Sequence, residues 1–317
     1  MSRSKSRLQI NLEYYPLSWA WRLLSFLPSK AREMAALGIL RSILLFVPKR
    51  IQVMRKNAQM AFPDKSAEEC DRIAAASIRN IARGVAAFVR LPAARDIGRT
   101  EWIVGHGVEH LHQAYAEGKG AITFTAHYGC WEILPSFIMH NCKKGGIVAR
   151  PLDNPRLELM ISRTRSVSET LIIPRKNMLR QGLKLLHDKG VLGILIDQNF
   201  APGGIFVDFL GRLASTTPIV SVLARRTGAV VLPTHTRWMD SKVHVFIEPP
   251  LPLSDEKDMD IAMAQDTLAM TQAIERWVRE DPTQWLWLHN RWKRRPEPGE
   301  LIYPVPQGEM RGSLRSN

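Results

Sequence analysis

The stretch AITFTAHYGCWE, residues 121–132, and its counterpart VLGILIDQ, residues 191–198, decide the fold. Their opening six residues lack the strict polar alternation of a strand with one wet face, so each reads as a strand covered by helices on both sides. Such strands belong to α/β sheets. Both runs end in residues with chemistry to offer, His127 through Glu132 in one and Asp197-Gln198 in the other. Active sites of α/β folds collect at that edge, outside the carboxyl ends of the strands.

Outward from these two runs, helical and strand patterns alternate. Further strands are expected at 146–150, 171–174, 229–233 and 242–248, and Val243, Val245 and Ile247 alternate as a half-exposed edge strand would. Helices are expected near 17–27 and 30–47, punctuated by Pro16, Pro28 and Pro48. A longer one at 66–91 opens on the capping-box spacing of Ser66 and Glu69 and stops at Pro92. Others follow near 107–117, after Trp131, after Asn154-Pro155, and at 259–280. The fold class is therefore α/β, a mixed, mostly parallel sheet covered by helices. Three regions are expected: basic amphipathic helices over 1–60, the α/β domain over 61–296, and a loose tail over 297–317.

Among the 317 residues 45% are hydrophobic, enough for a sizeable core, and 44 Lys and Arg against 30 Asp and Glu give a net charge of +14. That excess favours anionic partners and is concentrated at one end: the first 60 residues carry eleven bases against Glu13 and Glu33. Nucleic acid is not expected, because no reader motif accompanies the charge. Tyr14, Tyr15, Trp19, Trp21 and Phe26 are interleaved with the bases, and Leu37, Leu40, Leu44 and Val47 recur at helical spacing, a pattern suited to an anionic membrane surface. The apolar stretch from Leu37 to Val47 is too short to span a bilayer. Gln9, Asn11 and Glu13 fall where the apolar core of an export signal would begin, so none is expected. Cys70, Cys130 and Cys142 form no paired spacing, which fits free thiols in a reducing compartment.

His127 and Glu132 are candidates for acid–base work. Five residues along an ideal helix is about 500°, so the two would not share a helical face and need a bend between them. Gly129 permits one. Glu132 would then accept a bond from one ring nitrogen and leave the other free to take a proton from an alcohol. Cys130 as a nucleophile, and His106, His110 and His112 as metal ligands, are weaker readings.

Four blocks carry a resemblance: GHGVEHLHQAYAEGKGAITFTAHYGCWE, VARPLDNPRLELMISRTRS, LIDQNFAPGGIFVDFLGRLAST and QWLWLHNRWKRRP. Together, over roughly 30–296, they resemble the late, lauroyl- and myristoyl-type acyltransferases of lipid A biosynthesis, within the lysophospholipid acyltransferase superfamily. The resemblance implies transfer of a fatty acyl chain from acyl carrier protein or coenzyme A to a glycolipid hydroxyl, at the cytoplasmic face of a bacterial inner membrane. It implies no cofactor and no metal, only the thioester donor. It makes His127 the general base and Glu132 the acid of an H-x-x-x-x-D/E motif. Asp197 and Gln198 match a D-Q block that positions loops or substrate, and Arg163, with Arg156 seven residues earlier and Arg150 at a strand end, would meet substrate phosphate; Arg165 is a further candidate. The loop GGIFVDFLG would shape a pocket or simply turn. Other acceptors, a lysophospholipid, an aminolipid or a mannosylated inositol lipid, fit the same chemistry; a non-catalytic membrane-binding protein is the alternative of another class.

Overall fold

The computed structural model describes residues 5–91, 97, 100–166, 168–296 and 302–303. Four helices lead the chain: α1 (Arg7–Phe26), α2 (Ser29–Phe46), α3 (Pro48–Ala61) and α4 (Ala67–Arg90). An alternating series follows, β1 (Ile103–His106), α5 (Val108–Ala116), β2 (Ala121–Thr125), α6 (Leu134–Asn141), β3 (Gly145–Ala149), α7 (Pro155–Arg165), β4 (Leu171–Pro174), α8 (Met178–His187) and β5 (Val191–Leu195). The chain closes with a hairpin of β6 (Ile205–Phe209) and β7 (Arg212–Thr216), then α9 (Ile219–Thr227), β8 (Val230–Met239), β9 (Lys242–Ile247) and α10 (Met259–Glu280).

Seven strands form one sheet in the order β1-β9-β8-β2-β5-β3-β4, parallel at every pairing except β8 with β9. β2 and β5 lie side by side near its centre, in register from Ala121 opposite Val191 to Thr125 opposite Leu195. Their carboxyl ends therefore reach the same edge at the same height. Alternate residues serve opposite faces: Ile122, Phe124, Leu192 and Ile194 join the core built with α3, α4, α8, α9 and α10, while Ala121 and Val191 join a second core with α5 and α6.

Local chemistry explains many boundaries. Ser66 and Glu69 make both bonds of the capping box at α4, and the Asn154 side chain accepts from the amides of Arg156 and Leu157 at the start of α7. Pro92, expected to stop α4, lies outside the described residues.

Some expectations are corrected. Pro16 does not break the first helix; it sits inside α1 on an exposed face, where solvent can meet the carbonyl that its missing N–H leaves free. β9 is not an edge, because the four-residue strand β1 pairs along it. His106 ends that strand, ahead of α5, with its Nε2 2.8 Å from His244 Nδ1. GGIFVDFLG forms the first strand of the β6–β7 hairpin, whose two turn residues Leu210 and Gly211 both have positive φ, as a type I′ turn requires. Of the expected loose tail, Ile302 and Tyr303 are described, and both are buried, with the Tyr303 hydroxyl donating to Asn57 Oδ1 at 2.6 Å. α3, inside the expected amino-terminal region, places Val53, Met54 and Ala58 in the main core.

Candidate active site

His127 leaves the end of β2 and Asp197 the end of β5, and the shared register brings them together. Asp197 Oδ1 lies 2.8 Å from His127 Nδ1, while Oδ2 accepts from the His127 amide and from Trp285 Nε1, both at 2.9 Å. The carboxylate is buried and fully engaged. Burial alone would raise its pKa, but His127 and these bonds outweigh it and hold it well below the usual carboxylate range. For His127 the balance runs the other way: burial disfavours the imidazolium, yet Asp197, with help from Glu132, raises the pKa above the ordinary value. Asp197 thus fixes the proton on Nδ1 and leaves Nε2 as the acceptor. The Gln198 side-chain nitrogen, a donor, lies 3.3 Å from that Nε2.

The turn after His127 is tightly determined. Gly129 has φ +62°, and a Cβ there would lie 2.1 Å from the Thr236 carbonyl oxygen, so only glycine fits. Thr236 braces the turn through one hydroxyl, which donates to the Tyr128 carbonyl at 2.9 Å and accepts from the Cys130 amide at 2.7 Å. Gln284 accepts from the Gly129 amide at 2.9 Å.

Glu132 does not bond His127. It sits in a 3₁₀ turn, Trp131–Ile133, where both carboxylate oxygens are taken by Arg165, from Nε at 2.9 Å and Nη2 at 2.6 Å. The bend at Gly129 swings it past the ring, and Asp197 occupies Nδ1 first. Glu132 still acts on His127 through its charge. The Cys130 thiol is buried, and burial drives its pKa up, away from the thiolate a nucleophile needs.

His127, Glu132 and Arg165 line a cavity of about 660 Å³. His127, Glu132, Arg165, Gln198 and His289 form its polar part, and Ile138, Met139, Ile147 and Gly193 belong to its apolar wall. Arg150 lies on the lining, its side chain 74% exposed beside Asp153 at 3.6 Å. Arg156 and Arg163 lie off it: Arg156 bonds Asn11 and the Tyr15 hydroxyl of α1, and Arg163 is exposed. From the hairpin region Phe200 reaches the cavity, whereas Phe209 is buried against Trp285 and Trp292.

The residues that spacing along the chain could not assign come from the segment after α10. Trp285, Trp287 and Trp292 are buried in the core, and Trp285 supplies one of the bonds on Asp197. Arg291, equally buried, donates to the carbonyls of Gln198 and Ser215 and to the Thr216 hydroxyl, tying the loop after β5 to the hairpin. His289 lines the cavity. Their concentration in QWLWLHNRWK was the available signal.

An imidazole oriented by a buried carboxylate at the carboxyl edge of a mostly parallel sheet, opening on a cavity with an apolar wall, is equipment for acyl transfer. A family model described as bacterial lipid A biosynthesis acyltransferase matches residues 3–294. The chain is 27% identical over 265 residues to the lipid A biosynthesis lauroyltransferase of Escherichia coli (strain K12), covering 82% of this chain and 84% of that one. It is 28% identical over 265 residues to the palmitoleoyltransferase of the same strain, covering 81% and 83%. It is 24% identical over 252 residues to the phosphatidylinositol mannoside acyltransferase of Mycobacterium tuberculosis (strain ATCC 25618 / H37Rv), covering 75% and 76%. The protein is an acyltransferase. The chain belongs to the bacterial lipid A biosynthesis acyltransferase family.

Proposed function

We propose that the protein moves a fatty acyl chain from a thioester, carried by acyl carrier protein or coenzyme A, to a hydroxyl of a lipid A precursor. The observation that carries this reading is His127, its Nδ1 paired with Asp197 and its ring on the lining of a cavity that also has an apolar wall. The acyl chain would lie along the apolar wall with its carbonyl at His127. Nε2 takes the acceptor's proton as its oxygen bonds the carbonyl carbon; the C–S bond then breaks and the departing thiolate takes the proton from the imidazolium. No acyl-enzyme and no cofactor enter.

Glu132 and Arg165 form one wall beside the ring, where the carboxylate supports the imidazolium. Arg150, exposed at the rim, is suited to an anionic group of donor or acceptor, and Gln198 to a substrate oxygen at Nε2.

The reaction is assigned to the cytoplasmic face of the inner membrane, reached by peripheral docking. No helix among the described residues is long and apolar enough to cross a membrane. α1 instead presents Leu8, Leu12, Tyr15, Trp19, Leu23 and Phe26 along one stripe, each between 49 and 87% exposed. α2 adds Met34, Leu45 and Phe46. Most of the expected stripe on α2 is turned the other way: Leu44 is buried, and Leu37 and Leu40 pack with Leu24 and Ala36, while Val47 stays exposed. Trp21 likewise packs inward on Phe88.

The test is mass spectrometry of products from purified protein, a lipid A precursor, and matched acyl-carrier-protein and acyl-coenzyme A donors. A precursor heavier by one acyl group supports the reading, and the faster donor identifies the carrier. Acylation of a mannosylated inositol lipid or a lysophospholipid alone would replace the acceptor.

A further inference from the structure

We propose that His289 is a second catalytic imidazole, one that never takes up a proton but donates its Nδ1–H to the thioester carbonyl oxygen as that oxygen becomes an anion. The reading rests on His127 as the base and extends it to the other half of the chemistry. Taking a proton from the acceptor is only part of the barrier; the carbonyl oxygen must also be met by donors already in place.

His289 is held at three points. Its Nε2 accepts from the Asn199 amide at 3.0 Å. Its carbonyl accepts from Asn57 Nδ2 at 2.7 Å and from the Arg291 amide at 2.9 Å. A neutral ring that accepts at Nε2 carries its hydrogen on Nδ1, and among the described residues nothing accepts from that nitrogen. The ring lies on the lining of the cavity that also holds His127 and Gln198. It is therefore a fixed donor on the wall of the cavity that holds His127, with the Gln198 amide as a second.

Its surroundings keep it neutral. Burial acts first, and Arg291, Arg50 and His127 once protonated, against the opposing pull of Asp197, bring its pKa down to about 4. The two imidazoles are thus driven apart, His127 up and His289 down, a division suited to one base and one donor. In the reaction the acceptor oxygen bonds the carbonyl carbon, its proton passes to His127 Nε2, and the carbonyl π pair moves onto oxygen against the Nδ1–H of His289. Collapse returns that pair, breaks the C–S bond and sends the proton from Nε2 to sulfur. The His289 proton stays in place throughout.

Three variants separate this role from a structural one. His289→Ala should lower kcat about 10²- to 10³-fold with the donor KM little changed, as loss of one oxyanion donor does elsewhere. His289→Asn puts an amide N–H near the Nδ1 position but offers Asn199 no acceptor; His289→Gln does the reverse. The proposal expects His289→Asn to recover much of kcat and His289→Gln to stay as slow as alanine. Equal rates in those two, the reverse order, or a rise in KM with kcat intact would overturn it. Should the variants fail to fold, ¹⁵N-histidine NMR of the wild-type protein still decides: a neutral Nδ1–H tautomer down to about pH 5 is expected, and a proton on Nε2 or titration near the ordinary histidine value contradicts it. Activity in His127→Ala would instead remove the base while leaving the order of the His289 variants to report on the oxyanion.

Discussion

An imidazole works as a base only through its unprotonated nitrogen, and at His127 the Asp197 carboxylate makes that nitrogen Nε2. The same carboxylate sets the pH range. With the His127 pKa raised, the base form accumulates only as pH climbs through a value above the usual one, so the acid limb of the rate profile should lie above about 6.5. Asp197→Asn removes the negative charge, lowers the His127 pKa and carries the acid limb to lower pH. It should also lower kcat, since the imidazolium loses its partner. Glu132→Gln should shift the limb the same way but less, because Glu132 acts on the ring by charge alone; kcat/KM measured against pH for both variants checks this order. His127 and Asp197 were each visible in the sequence as polar residues closing an apolar strand. Their partnership was not, because they are 70 positions apart and only the parallel register of β2 and β5 brings them to one height. Glu132, five positions from His127, was the partner that proximity along the chain suggested; a bidentate Arg165 from another helix claims it.

Among elements, the turn between β2 and α6 is the most constrained. Gly129→Ala would need a side chain at φ +62° with its Cβ in the Thr236 carbonyl, so it should cost stability by a few kcal/mol and abolish activity even where the protein still folds. Thr236→Val leaves the buried Cys130 amide and Tyr128 carbonyl without their shared partner, at about 1–3 kcal/mol for each group left unpaired. Thermal unfolding and amide exchange at Cys130 measure both. Elements with strong internal signals were legible beforehand: the capped helices α4 and α7, α10, and the buried strands β2 and β5. β1 was not, since four residues ending in Gly-His have no periodicity to read and exist as a strand only by pairing with β9. The β6–β7 hairpin was hidden because its turn is Leu-Gly rather than Asn-Gly or Asp-Gly. α1 was cut short in the reading by Pro16, whose cost is small on an exposed face.

At the scale of the molecule, the basic amino-terminal helices are also a structural part of the domain. Leu24, Ala36 and Leu44 are buried, Arg32 donates to the carbonyls of Leu24 and Leu27, and Arg156 of α7 is bound by Asn11 and Tyr15 of α1. Deleting them would uncover core, so substitutions on the exposed stripe are the cleaner probe. Trp19→Glu with Phe26→Glu should reduce sedimentation with phosphatidylglycerol vesicles and slow transfer to a bilayer-embedded acceptor, leaving transfer to a detergent-dispersed one nearly unchanged. High salt should weaken the same binding in the wild type, since each base near an anionic surface contributes about 1 kcal/mol and is screened over roughly 10 Å. Equal sedimentation of variant and wild type would place the docking surface elsewhere.

Transfer is direct: one imidazole moves the proton, and the acyl chain passes from sulfur to the acceptor oxygen without resting on the protein. Intact-protein mass, followed together with product formation in a single turnover, tests it most directly. Direct transfer requires an unmodified wild-type mass at every time point, one acylated acceptor for each thioester consumed, and neither product nor adduct from folded His127→Ala. An acyl group trapped on the protein, on Cys130 or elsewhere, or normal turnover by His127→Ala, would contradict it.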